Sequence, residues 1–185
     1  MNLTTRAVIK EFLEIAEATT TFDALIDSLL VMVSKRFETY CNRSFESLSR
    51  TQKFNAGRRH YFLPAYPVSE SPAPVITYDG DVQVENDDYY VYYSEGWIEF
   101  YLEPVRTEPQ QVTITWTGGY TVDNIPQDLQ YACMMQVAFV FRRRKDLGVS
   151  SVSLPDGSIS INSPADLLPE VKHVLKSYRK APGER

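Results

Sequence analysis

The chain has 185 residues, 43% of them hydrophobic and 23% charged, with a formal net charge of −5. A chain of this length buries roughly two-thirds of its unfolded surface, so one domain with appendages can hold a core without disulfides or metal. The negative balance argues against broad nucleic-acid binding, which needs cations to displace counterions from phosphates. No charged-then-apolar leader opens the sequence, and the apolar runs 29–33 and 137–141 are too short to span a bilayer, so a soluble intracellular protein is expected.

Charge is segregated along the chain. Residues 61–105 contain no Lys or Arg but nine acidic residues, including Asp79, Asp81, Glu85, Asp87, Asp88, Glu95 and Glu99. Positive charge gathers at Arg58-Arg59, at Arg142-Arg143-Arg144-Lys145 and in 172–185.

A short first helix, capped by Thr4 or Thr5, carries Val8, Ile9, Phe12 and Ile15 on one face. Thr19-Thr20-Thr21 breaks it and caps a second helix over 22–40, where Asp23 favours the positive end of the dipole. The apolar positions of that helix, among them Leu25, Ile26, Leu29, Leu30, Val33 and Phe37, form more than one stripe and predict packing on two sides. Asn42-Arg43-Ser44-Phe45 close it.

Strands are expected over 47–55, 60–63, 75–78, 89–93, 97–102 and 111–117, from β-branched and aromatic residues between turn signals. Pro64, Pro67, Pro72 and Pro74 punctuate them and mark edges or crossings. Ser94-Glu95-Gly96 reads as a hairpin turn between two aromatic strands. Val112, Ile114 and Trp116 alternate through the last strand, Gly118-Gly119 follow where the chain leaves the sheet, and Asn124 and Pro126 suit the opening of a helix.

That third helix, over 127–145, is apolar nearly all round, from Leu129 through Met134, Met135, Val137, Phe139 and Phe141. Such a helix lies in a core. The remaining elements are too few to cover it fully, so part of it is expected to meet a neighbouring subunit. After Leu147-Gly148, Asp156-Gly157 marks a hairpin between 149–153 and 158–161. Ser163 caps a last helix starting near Pro164 or Pro169, with Leu167, Leu168, Val171, Val174, Leu175 and Tyr178 apolar, and 180–185 form a loose polar tail. The expected fold class is α+β, a small bundle of about four helices with an antiparallel β-sheet or sandwich inserted between the second and third. In segments, 1–45 are the N-terminal helices, 46–118 the β-rich insert, 124–147 the long apolar helix, 149–161 the hairpin and 163–179 the final helix of a single domain.

Catalytic and ligand signals are weak. His60 and His173 have no ligand-spaced partner, and Cys41 and Cys133, on apolar helical segments, read as buried reduced thiols. No Gly-x-Ser-x-Gly elbow and no phosphate-binding Gly loop occurs. The run 79–85 resembles a calcium loop only faintly, lacks the glycine at the sixth position, and reads as a solvated acidic loop. No cofactor or metal is expected, and no enzymatic activity. The alternative is a nucleic-acid-binding module built on Arg142 to Lys145. Cations at a helix C-terminus also satisfy its dipole, and the acidic chain around Tyr89–Tyr93 would repel a single strand.

Trp116-Thr117-Gly118-Gly119-Tyr120 followed by Ile125-Pro126-Gln127-Asp128-Leu129 resembles the strand–helix junction of the head–tail connector (adaptor, or head-completion) proteins of long-tailed bacteriophages. The likeness extends over 3–179, through Tyr40-Cys41-Asn42-Arg43-Ser44-Phe45, Phe62-Leu63-Pro64-Ala65-Tyr66-Pro67-Val68, Gly96-Trp97-Ile98 and Leu168-Pro169-Glu170-Val171. The hairpin at 149–161 is an elaboration on that pattern. The resemblance implies a structural protein of the virion, assembled in the host cytoplasm. It would form a dodecameric ring of itself beneath the portal protein, extend the tunnel for passing genomic DNA, and offer a surface to a tail-side stopper or tail terminator protein, with no membrane involved. On that reading Val174, Leu175, Tyr178, Arg179 and Lys180 dock on the portal, Met134, Phe139, Arg142 and Arg143 meet the neighbouring subunit, and Asp79, Asp81, Glu85, Asp87 and Asp88 make the tunnel acidic.

Overall fold

The computed structural model describes residues 1–145, 151–154, 157–160 and 166–179. In chain order the elements are α1 (Arg6–Phe12), α2 (Asp23–Cys41), β1 (Leu48–Phe54), β2 (His60–Phe62), β3 (Val75–Tyr78), β4 (Asp81–Val82), β5 (Tyr89–Tyr92), β6 (Trp97–Phe100), β7 (Val112–Gly118), α3 (Gln127–Arg142), a 3-10 turn (Arg143–Lys145), β8 (Ser151–Leu154), β9 (Gly157–Ser160) and α4 (Pro169–Lys176). The α+β class is as expected, helices flanking a β-rich middle. The chain forms two compact units, one helical (1–41 and 125–179) and one β-rich (42–124).

In the helical unit, Thr5 caps α1 by accepting from Val8 N, as the sequence predicts. The apolar face of α1 differs from expectation. Ile9 is buried, but Val8 and Phe12 are exposed, and the helix ends at Phe12, before Ile15. Lys10 is buried instead, its Nζ 2.9 Å from Asp23 Oδ1 and 2.7 Å from the Glu17 carbonyl. Ile26, Leu30, Val33 and Phe37 of α2 join Leu129, Cys133 and Val137 of α3 among the buried side chains. Ser34 Oγ accepts from Leu3 N at 3.2 Å and lies 3.9 Å from Cys133 Sγ, and Cys41 Sγ lies 3.5 Å from the Leu175 carbonyl. Both thiols are buried. Buried Gln136 holds the entry to α4 at both its amide atoms, donating to Asp166 O at 3.1 Å and accepting from Leu168 N at 3.0 Å.

One helix start differs from the sequence reading. Pro126, not Asn124, occupies the N-cap position of α3, without a side-chain bond; Asn124 Oδ1 instead accepts from Thr121 N at 2.6 Å and closes a turn. The helix α4 begins with Pro169 at its first turn, where a missing N–H costs nothing. Ser163, Pro164, Pro155, Asp156, Ile161, Leu147, Gly148 and the tail 180–185 lie outside the described residues. The backbones of β8 and β9 pair antiparallel, Ser151 opposite Ser160 and Leu154 opposite Gly157.

The β-rich unit is built of two antiparallel sheets, in the orders β1-β7-β3-β4 and β2-β6-β5. Alternation along β7 sends Val112, Ile114 and Trp116 inward. Tyr61, Tyr89, Val91, Ile98 and Phe100 of the second sheet join them and Ile76 in one apolar cluster, so the arrangement is a small sandwich. The acidic stretch expected as a loop contains β4, which pairs Asp81 with Tyr78 and Val82 with Thr77. The segment 63–69 laces the sheets together: Val68 N donates to Tyr93 O at 2.7 Å and Ser69 N to Thr117 O at 2.8 Å. Gly118 and Gly119 sit against this lacing, where an added Cβ would lie 2.3 Å from Ala65 O and 2.5 Å from Glu46 O respectively. Arg43 is buried beside them, its guanidinium 3.3 Å from the Tyr66 ring centroid and donating to the Tyr66 carbonyl.

Candidate interaction surfaces

The end of α3 carries an apolar groove of about 420 Å³, lined by Phe12, Met135, Ala138, Phe139, Arg142, Arg143 and Leu168. It exists because α3 is apolar on more sides than its neighbours cover: Leu129, Ala132, Cys133 and Val137 are buried, while Met134, Met135, Phe139 and Val140 stay half-buried. Three of the four expected subunit-contact residues, Phe139, Arg142 and Arg143, line the groove, and Met134 lies outside its lining. The basic cluster is divided by geometry. Arg144 turns inward, donating to Phe141 O at 2.5 Å with its guanidinium 4.0 Å from the Phe141 centroid and 5.2 Å from that of Phe22. Arg143 lies over Phe139 at 5.6 Å. Arg142 is exposed and has no carboxylate partner among the described residues.

The expected portal-docking residues divide in the same way. Leu175 is fully buried, held there by the amphipathic pattern of α4, and Val174 and Tyr178 are half-buried. Tyr178 OH lies 2.5 Å from Asp128 Oδ1, Arg179 is exposed with its guanidinium 5.8 Å from the Tyr40 ring, and Lys180 is outside the described residues.

Of the acidic residues of the β-rich unit, Asp79, Asp81 and Asp87 are exposed. Glu85 and Asp88 have structural work: both Glu85 oxygens lie 2.9 Å from Tyr93 OH, and Asp88 Oδ2 accepts from Val84 N at 2.8 Å. Burial first, and the Glu85 carboxylate second, raise the Tyr93 pKa, which keeps its hydroxyl protonated as donor.

A fourth surface lies within Tyr89–Tyr93, whose tyrosines the sequence assigns to a sandwich core and a protein–protein contact. Tyr89 and Val91 point inward, but Tyr90 and Tyr92 point out on the face of β2-β6-β5 opposite the core. There the Tyr92 and Trp97 rings stack, centroids 3.6 Å apart and planes 7° apart, with His60, Phe62 and Tyr90 around them. Glu99 borders the stack: Tyr92 OH donates to its Oε2 at 3.3 Å, and His60 Nε2 and Arg59 Nη2 lie 3.5 and 3.6 Å from its Oε1. Partial burial, then Glu99, raises the Tyr92 pKa. The register Tyr92↔Trp97 creates this platform. The sequence signal for it was the turn at 94–96, which fixes that pairing.

Among the described residues no group of His, Cys, Asp and Glu could hold a metal ion, and no helix is long and apolar enough to cross a membrane.

A family model described as head completion protein matches residues 2–181. No curated protein matches significantly. Among solved structures, the chain is similar to a chain in the neck of an empty GTA particle computed with C6 symmetry, at 17% identity and a TM-score of 0.61, covering 95% of this chain and 89% of that one. It is also similar to a chain in the neck of a native GTA particle computed with C12 symmetry, at 15% identity and a TM-score of 0.58, covering 95% and 88%. At these identities the likeness is one of fold. The family match spans both compact units, and the chain belongs to the head completion protein family.

Proposed function

We propose that this protein is a structural head–tail connector: a ring beneath the portal that extends the DNA tunnel and offers a docking surface to a stopper or tail terminator protein. The observation that carries this reading is the family match over 2–181, supported by the fold shared with neck chains of phage-like particles. The twelve-fold symmetry under which one of those necks was computed supports twelve copies in the ring. The role is structural rather than catalytic, in the virion at the head–tail interface, after assembly in the host cytoplasm.

The surfaces have assignable parts in such a ring. The incompletely covered stripe of α3 suits a subunit contact, since lateral contacts between unlike patches close into rings. Half-buried Val174 and Tyr178 and exposed Arg179, with Lys180 next in sequence, suit the portal; Leu175 supports them from the core. Exposed Asp79, Asp81 and Asp87 suit a tunnel wall, where cations would grip DNA phosphates and acids let them pass. The inward packing of Arg144 disfavours the alternative of a nucleic-acid-binding module at the end of α3.

Negative-stain microscopy of the protein alone and with its cognate portal tests the reading. Rings, or an added collar on the portal, are the expected result. A protein that ignores the portal and instead binds DNA in a salt-sensitive manner would overturn it.

A further inference from the structure

We propose that the outer face of β2-β6-β5, with the Tyr92–Trp97 stack and Glu99 at its border, receives the Arg142-bearing end of α3 from the neighbouring copy in the ring. The inference rests on the ring reading and gives its lateral contact two named halves.

The first half is a site for a planar cation. Tyr92 and Trp97 stack on the side of the sheet away from the sandwich core, and Tyr90 stands edge-on to Tyr92 at 5.0 Å with two-fifths of its surface exposed. Aromatic faces attract a guanidinium, and a carboxylate beside them supplies acceptors that its fork geometry matches. Glu99 is that carboxylate. Its three partners stand at 3.3 to 3.6 Å, so its oxygens retain capacity for a closer donor. Glu95 is exposed in the adjoining turn, and the cations of this chain nearest Glu99, Arg59 and His60, stand no closer than 3.5 Å.

The second half is on the same chain. Arg142 is exposed at the rim of the α3 groove, without a carboxylate partner among the described residues, next to the apolar surface of Phe139, Met135 and Phe12. One patch carries aromatic rings and the carboxylates Glu95 and Glu99, with Arg59 and His60 at its edge; the other carries apolar surface and Arg142. A second copy is the occupant that charge complementarity favours, because every chain carries both patches and two unlike patches make the head-to-tail contact that a ring repeats.

The test places the photo-reactive amino acid benzoylphenylalanine at Tyr90, an exposed aromatic position, and irradiates the protein assembled on its cognate portal. The expected product is an adduct of two copies whose cross-linked peptide contains Phe139 and Arg142. Arg142→Glu should reduce that adduct at least about tenfold, and Arg142→Glu with Glu99→Arg should restore it, as expected for a charge pair. Rings that cross-link instead to another neck protein, to a different part of the copy, or not at all overturn this contact while leaving the connector role intact. Absence of any ring or collar overturns the connector reading and the contact together.

Discussion

Replacing Gly119 by alanine probes the junction between β7 and the loop leading to α3. Gly119 has φ +114°, and a Cβ there would stand 2.5 Å from both the carbonyl carbon and oxygen of Glu46 and 2.7 Å from Phe45 O. Holding a side chain in that backbone region costs about 1–3 kcal/mol. Relieving the overlap with backbone that cannot swing aside costs about 1–3 kcal/mol more. The loss of unfolded-state freedom returns only about 0.4–1 kcal/mol, leaving a net destabilisation of about 1–5.5 kcal/mol. Gly80→Ala is the internal control, because Gly80 has φ +92° but nothing within 4 Å of its Cβ position. It bears the backbone term alone, a net of about 0–2.5 kcal/mol. Gly118→Ala tests the same junction sterically, with its Cβ 2.3 Å from Ala65 O, the acceptor of the Trp116 indole N–H at 3.0 Å. Urea unfolding followed by tryptophan fluorescence reports this unit directly, since Trp97 and Trp116 both lie in it. With a slope of about 2 kcal/mol per molar, Gly119→Ala lowers the midpoint by about 0.5–2.7 M. Equal midpoints for Gly119→Ala and Gly80→Ala would refute the steric argument.

The remaining predictions concern buried charge and pH. Asp23→Ala leaves the buried Lys10 ammonium with only the Glu17 carbonyl and should destabilise by about 3 kcal/mol, whereas Lys10→Met should change stability by less than about 1 kcal/mol; thermal melts of the two variants distinguish them. Burial pushes the Cys133 thiol up to about 12 and the Tyr61 hydroxyl up to about 12 from ordinary values of 9.0 and 10.0. Both groups stay protonated in the folded protein while the unfolded chain releases their protons. Their contribution is therefore complete below pH 9 and is lost as pH rises from about 9 toward 12. Denaturation midpoints measured from pH 7 to 11 should fall in that window and not below it. The same burial should leave Cys133 unreactive toward a thiol reagent at pH 8 until the protein unfolds.

The strands and helices were legible because their periods were. Val112, Ile114 and Trp116 alternate, and β7 pairs through them; Leu129, Cys133 and Val137 recur at helical spacing, and they are buried. What the sequence hid depended on pairing across distance. β4 is two residues long and exists only because β3 is beside it. Lys10 is buried because Asp23, thirteen positions on, returns to meet it. In Tyr89–Tyr93, composition alone cannot tell the inward Tyr89 from the outward Tyr92; the sheet register decides. The arginine cluster read as one feature, but Arg144 packs on Phe141 and Arg142 faces solvent, a division set by the turn from α3 into the 3-10 segment. Leu175 read as contact surface because it shares a helix with Tyr178, and the packing of α4 places it in the core instead.

The half-buried stripe of α3 divides positions that fold the protein from positions that the proposed ring contact would use. Val137 and Phe139 are two positions apart on one helix, yet Val137 is fully buried and Phe139 lines the groove under the Arg143 guanidinium. The arginine covers the ring face while its charge stays in water, an arrangement that keeps apolar surface tolerable in a free chain. Assembly would replace that cover with a neighbour's side chains. Phe139→Ser should therefore cost the fold only about 1.5–2.5 kcal/mol, roughly half the loss of a fully buried ring, a fall in melting temperature of about 3–10 °C for a chain of this size. Val137→Ser, with a hydroxyl placed in a sealed core, should cost more in the melt than its smaller volume implies. The discriminating readout is collar formation on the portal at a temperature where both variants remain folded. Phe139→Ser should lose the collar and Val137→Ser should keep it; a collar of normal occupancy with Phe139→Ser would remove the stripe from the interface.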